Sequence, residues 1–254
     1  MVTLRERQDH TREYLRSADL RLSAVFERIM RHAFEYSEPL CAGLLLWACD
    51  AAGGDARTAL PVAASVECLH RFCILHDELQ LRPTFVIERE TTTSIWGLAQ
   101  TLNAGDAFFA LGLGLLAKDA VDRERVLEVG VMAASAVLLG IERRNRLVRA
   151  ASRPHTRTGR MRVAYDGTQV LMLSLSLRVG AMMANAPASV CDALADAGRL
   201  LGTIVQLQSQ ARGGRSPLAK RYAAKAVGLV RGIALAPARV AEFEEIAYQL
   251  ASGN

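Results

Sequence analysis

Apolar residues recur at spacings of three and four through nearly the whole chain, and no run alternates apolar with polar residues as a half-buried strand would. That single period constrains the fold more than any motif, because each apolar helix face must be buried against another helix. Hydrophobic residues make up 51% of the 254 positions but aromatics only 6%, so Ala, Leu and Val fill the core, a mixture suited to packed helices rather than sheets. The spacing predicts helices over 9–33, 38–51, 58–80, 92–100, 103–117, 122–148, 160–184, 188–212, 216–231 and 236–251. Turn-forming clusters at 53–57, 82–84, 103–106, 185–189, 212–217 and 236–239 mark the breaks. Segments 104–117 and 168–184 are apolar on most faces and belong among other helices. One all-α domain over 1–254 follows, a helical bundle with a central apolar cavity.

The formal charge of +5 comes mainly from arginine, and residues 142–162 hold eight arginines against the single acid Glu142. Such a run suits an anionic surface, but no aromatic residue interleaves it, so a solvated connection between helices is the simpler reading and nucleic acid is not expected. Five cysteines, Cys41, Cys49, Cys68, Cys73 and Cys191, form no CxxC pair and read as small core residues of a reducing compartment. The charged start is not a secretory signal, and acidic or basic residues such as Asp106, Glu128 and Arg178 interrupt the most apolar segments. A cytoplasmic protein without a membrane span is expected.

Chemistry concentrates in residues 67–78, where Glu67, His70, His76, Asp77 and Glu78 sit on one predicted helix. Adjacent acids in an otherwise apolar helix are costly to bury unpaired. Asp77 and Glu78 therefore hold a metal, or are neutralised by Arg71, Arg82 or Arg215. The bland reading of His70 is a satisfied core histidine, and that of Phe72 and Cys73 is ordinary packing.

The segment 63–78, with Glu67 three residues before His70 and then His76-Asp77-Glu78, resembles the signature helix of the trans-isoprenyl diphosphate synthases, the polyprenyl synthetase family. Further segments follow in the family's order. Residues 104–116 resemble its Ala-Gly-Asp helix and 166–184 the helix that begins Gly-Lys-Thr. Residues 198–206 resemble the G-x-x-L-G-x-x-x-Q helix, and 214–225 the Gly-Lys segment with a later basic residue. The resemblance spans roughly 30–250. It implies an isoprenoid-synthase bundle, a prenyl diphosphate ligand and dimers formed through the helices around the Ala-Gly-Asp segment. It also implies magnesium held by two DDxxD motifs, whose hard oxygen ligands neutralise the departing diphosphate.

The chain departs from that pattern at several points. Its first motif reads Asp77-Glu78-Leu79-Gln80-Leu81, keeping Asp77 and Glu78 as metal ligands and catalytic carboxylates but closing on leucine. The second motif falls on Ser209, Gln210 and Gly213, and the lysine before Thr168 is Gly167. Positions implied to touch substrate are His70, Phe72, Cys73, Arg89, Thr168, Gln206, Arg215 and Lys225, with Phe72 and Cys73 where the family sets product length. Glu35 and Glu38 stand where the family grips its second diphosphate with lysine and arginine. Each reversal, at ~5 Å, turns attraction into repulsion on the order of several tenths of a kcal/mol even in water. Asp106 reads as a helix-start or scaffold residue. Residues 162–167 invite comparison with the diphosphate sensor of bacterial terpene synthases, one residue too long and without the later metal motif.

Ordinary chain elongation is therefore not expected. The favoured expectation is a non-catalytic or regulatory partner of an active prenyl diphosphate synthase, as a homodimer or heterodimer. The alternative is an atypical terpene synthase that ionises one prenyl diphosphate with a weakened magnesium site. An isoprenoid-binding module is a third possibility. Chain length, product and partner are not encoded legibly.

Overall fold

Helical periodicity becomes ten helices among the described residues of the computed structural model, which are 2–17, 23–35, 38–81, 85–86, 89–118, 122–151, 167–210 and 216–253. They are α1 Leu4–Ser17, α2 Ala24–Glu35, α3 Leu40–Ala51, α4 Ala56–Leu81, α5 Thr92–Ala117, α6 Arg123–Ala151, α7 Thr168–Met183, α8 Ala188–Gln210, α9 Pro217–Arg231 and α10 Pro237–Ser252. The strands β1 Phe85–Val86 and β2 Arg89–Glu90 form a two-residue antiparallel pair, which period counting cannot detect at that length.

Helices α3, α4 and α7 form the centre. Leu44, Leu45, Trp47, Ala63, Val66, Met172, Leu173 and Leu177 are wholly buried there. Helices α1, α5, α6 and α8 pack around this layer, and α9 and α10 pack on α8. Close backbone approach makes the α7–α8 hairpin possible: a Cβ on Gly198 or Gly202 would lie 2.4 Å from Leu173 O or Val170 Cα. Side chains larger than hydrogen would push these helices apart.

Two boundaries differ from the sequence expectation. Helices α1 and α2 occupy the stretch expected as one helix over 9–33, and Ser23 starts the second by accepting the Phe26 N–H at 3.4 Å. The hydroxyl is a start signal that an uninterrupted apolar period conceals. The break expected at 103–106 is instead at Gly97, whose φ of 79° and ψ of 172° kink α5. That conformation is open essentially to glycine alone. Asp106 thus lies inside α5 rather than at a helix start, and Gly105 serves packing: a Cβ there would meet the His76 ring at 2.7 Å.

Helix α1 is fastened by charge. Arg7, 2% exposed, bonds Glu242 at 2.5 Å and Asp50 at 2.7 Å, and Arg239 bridges the same two acids at 2.9 and 2.7 Å. Two cations and two anions at this distance tie α1, α3 and α10 together. Residues 56–80 of α4 are long and apolar enough by composition to cross a membrane, but 78% of their most apolar window is buried within the bundle. Of the two segments expected among other helices, 168–184 is interior, whereas 104–117 leaves one side uncovered, with Phe109 37% and Leu113 49% exposed.

Candidate active site

One end of the bundle brings together Asp77, Glu78, Thr168 and Gln206. Helix α4 arrives there with its C-terminus, α5 begins there from Thr91, and α7 starts there at Thr168. Antiparallel to α7, α8 returns its C-terminal half to the same end, with Gly202 against Val170. Helix α6 brings its last turns. The opposite end, some 28 Å away along α4 at 1.5 Å per residue, holds a cleft of about 300 Å³ lined by Thr58, Lys118, Asp122, Arg125 and Asn185.

Among the described residues the partner of Asp77 is not Arg71, and Arg82 and Arg215 lie outside those residues. The Asp77 carboxylate accepts a hydrogen bond from Nε of Arg144 on α6, while the same guanidinium donates to the Cys73 carbonyl at 3.0 Å. Arg144 is 4% exposed, whereas the Asp77 side chain is 34% exposed. A guanidinium so deeply placed must be satisfied, and Asp77 with the Cys73 carbonyl does that. Arg144 belongs to the basic run read from sequence as a solvated connection; residues 142–151 of that run are the end of α6, and 152–162 lie outside the described residues. A signal for it existed. Val129, Ala133, Val137, Gly140 and Arg144 continue one buried stripe at spacings of three and four.

Arg71 is committed elsewhere. Its guanidinium lies 2.6 Å from Glu67, donates to the Glu38 carbonyl at 3.0 Å and sits over the Phe34 ring at 5.4 Å. Glu67 is wholly buried, which alone would raise its pKa; Arg71, His70 and the Ala42 N–H together outweigh that and hold it at about 2. Glu78, 4% exposed, accepts the Thr92 N–H at 3.0 Å and so helps cap α5, whose N-cap Thr91 accepts from Ser94 N at 3.2 Å.

The remaining candidates separate. His70 is 3% exposed, its Nδ1 3.6 Å from Glu67. Phe72 stacks on His76 and Phe109 with ring centroids at 4.3 and 5.3 Å, and the Phe72 carbonyl lies 3.0 Å from Nδ1 of His76. Burial pushes the Cys73 thiol up to about 11, so it is a neutral packing group at pH 7. Thr168 opens α7 behind Gly167, and Gln206 fills the space a side chain at 167 would take, its Oε1 only 1.7 Å from a Cβ built there. Ser209 is exposed and donates to the Gln206 carbonyl at 2.9 Å. Lys225 is exposed on α9 with its ammonium 5.8 Å over the Tyr222 ring. The Arg89 backbone pairs with Val86; its side chain, Gln210's side chain, Gly213 and Arg215 lie outside the described residues.

Similarity to known proteins agrees with this geometry. The (2E,6E)-farnesyl diphosphate synthase of Mycobacterium tuberculosis H37Rv is 34% identical over 172 residues, 65% of this chain and 45% of that protein. The chain spans about half the length of the curated relatives it matches. A geranylgeranyl pyrophosphate synthetase from Geoglobus acetivorans has the same fold, with a TM-score of 0.83 at 17% identity over 98% of this chain and 99% of that one. The geranyl diphosphate synthase small subunit of Antirrhinum majus superposes with a TM-score of 0.79 at 18% identity over 96% and 97% of the two chains. Residues 24–210 match the polyprenyl synthetase family as a whole, and the chain belongs to that family.

Proposed function

We propose that the chain is a non-catalytic, regulatory partner of an active prenyl diphosphate synthase of its own family, altering that enzyme's stability or product length. The observation that carries this is the pairing of Asp77 with Arg144. A carboxylate meant for magnesium needs free oxygen lone pairs at octahedral geometry; here Arg144 supplies the positive charge instead. Glu78 gives one oxygen to the Thr92 N–H, and Ser209 offers a neutral hydroxyl that already donates to Gln206. This donor set does not suit a magnesium cluster, and any ion held by Asp77 and Glu78 is held weakly.

The second substrate position points the same way. Glu38, at a position where the resemblance implies a cation gripping the second diphosphate, is an acid instead, its carboxylate 3.4 Å from Gln8 on α1. The nearby cation Arg71 is taken up by Glu67, the Glu38 carbonyl and the Phe34 ring. These charges support a reading in which chain elongation is not the reaction, while prenyl diphosphate remains the ligand class suited to the fold.

A docking face supports partnership. Ile95, Leu98, Leu102, Phe109 and Leu113 of α5 are 37–50% exposed at helical spacing, and Leu127, Val131 and Leu138 of α6 are 66–70% exposed. Apolar stripes of this extent on two helices mark an interaction surface. The fitting partner is an intact synthase subunit with its own metal motifs; the Antirrhinum protein of this fold is itself the small subunit of a geranyl diphosphate synthase.

The test is to incubate the pure chain with geranyl, farnesyl and geranylgeranyl diphosphates and Mg²⁺ while measuring diphosphate release, then to co-express it with an active synthase of the family. The expected result is no release above blank, co-purification and an altered product distribution. Release that Asp77→Ala abolishes would replace this reading with an atypical terpene synthase.

A further inference from the structure

About 10 Å back along α4 from Asp77, at 1.5 Å per residue, a thiol, a carboxylate and an imidazole meet in the core. Ligand atoms of Cys41 on α3 and of Glu67 and His70 on α4 all lie within 4.8 Å of one another. Cys41 and Glu67 are 0% exposed and His70 is 3% exposed. Glu67 and His70 stand three residues apart on one helix face, the Glu-x-x-His arrangement that holds metals in carboxylate bundles. Nδ1 of His70 is 3.6 Å from Glu67 Oε1. Nitrogen and oxygen ligands each ~2.1 Å from a tetrahedral ion are separated by ~3.4 Å, so the spacing fits with little movement. Among the described residues, Nδ1 of His70 faces only Glu67, and Nε2 has no hydrogen-bond partner. A buried imidazole in that state is missing a ligand of some kind.

We infer that Cys41, Glu67 and His70 form a structural binding site for a divalent transition metal of the zinc class. Thiolate and imidazole ligands select Zn²⁺ or Co²⁺ over Mg²⁺ and Ca²⁺. Ala42 N–H donates to Glu67 Oε2 at 3.1 Å and orients the carboxylate, and the metal displaces Arg71, 2.6 Å away, from Oε1. Three protein ligands leave one tetrahedral position for water. Binding converts the Cys41 thiol to a metal thiolate and releases one proton to solvent, so uptake weakens as pH falls. The site is separate from Asp77 and Glu78 and does not depend on the partner-subunit reading. The ordinary alternative, a Glu67–Arg71 ion pair with His70 as filler, is the outcome that overturns it.

The experiment uses the full chain, stripped with EDTA under a non-chelating reductant, then given Co²⁺ either in the native state or during refolding from urea. One cobalt per chain with a thiolate-to-cobalt charge-transfer band is expected, displaced by Zn²⁺ and lost in C41S and H70A. Zn²⁺ should raise the Tm of the unsubstituted chain and leave both variants unmoved. A band that survives in C41S overturns the assignment. If the variants do not fold, the unsubstituted chain decides: no band and less than a tenth of a cobalt per chain by both routes refutes the site.

Discussion

Separating Arg144 from Asp77 probes the interaction on which the functional reading rests. Removing one partner of a fully buried pair costs about 3–5 kcal/mol, whereas an exposed pair is worth about 0.2–1 kcal/mol. Arg144 is 4% exposed but Asp77 is 34% exposed, so the pair falls between these limits. Asp77→Asn strands a buried cation and should cost about 2–3 kcal/mol, while Arg144→Met leaves an acid that water can reach and should cost about 1–2 kcal/mol. Urea unfolding of both single variants and the double variant, at a common m-value, gives the coupling directly. A coupling of about 1.5 kcal/mol or more is expected. The larger single loss corresponds to a fall in Tm of roughly 4–12 °C for a domain of this size. Arg144→Met also frees Asp77, so Mg²⁺ should raise the Tm of that variant and leave the unsubstituted chain unchanged. Coupling below about 0.5 kcal/mol, or a Tm of the unsubstituted chain that rises with Mg²⁺, would refute the reasoning.

Gly202→Ala places a methyl 2.4 Å from the Val170 Cα; a loss of about 1–3 kcal/mol is expected in chemical denaturation, because backbone must shift rather than a flexible side chain. Gly97→Ala meets no atom within 4 Å but cannot hold φ of 79°; about 1–3 kcal/mol should be lost, with raised hydrogen exchange at the start of α5. Arg7→Met leaves Glu242 with Arg239 alone; α1 should become protease-sensitive at an overall cost of about 2–4 kcal/mol. Glu67, held at about 2 in the folded metal-free chain against an ordinary 4.5, binds protons only after unfolding over that range. Its stabilisation, on the order of 3 kcal/mol, is complete above about pH 5 and lost as pH falls towards 2. Glu67→Gln should flatten that slope in urea midpoints measured between pH 6 and 3, and an unchanged slope would remove Glu67 as its source.

Much of the fold was legible because helical burial writes a period into the chain. The stripes that make α3, α4, α7 and α8 interior are visible residue by residue, and the acidic pair Asp77-Glu78 stands out because charge is rare in such a helix. Less legible were features set by one residue acting locally. Ser23 divides an unbroken period, and Gly97 rather than residues 103–106 kinks α5, since positive φ leaves no trace in hydrophobic spacing.

By itself the sequence determined the helical class, the order of the family-like segments and the residue types at positions such as Asp77, Glu78 and Ser209, since these depend on local period and residue identity. Only the tertiary structure decided what the retained acids touch. Arg144 lies 67 residues from Asp77, and Cys41 lies 26 residues from Glu67 and 29 from His70. Pairing over such separations follows from how α3, α4 and α6 cross, and the requirement that buried charge find a partner operates only once that crossing has removed water.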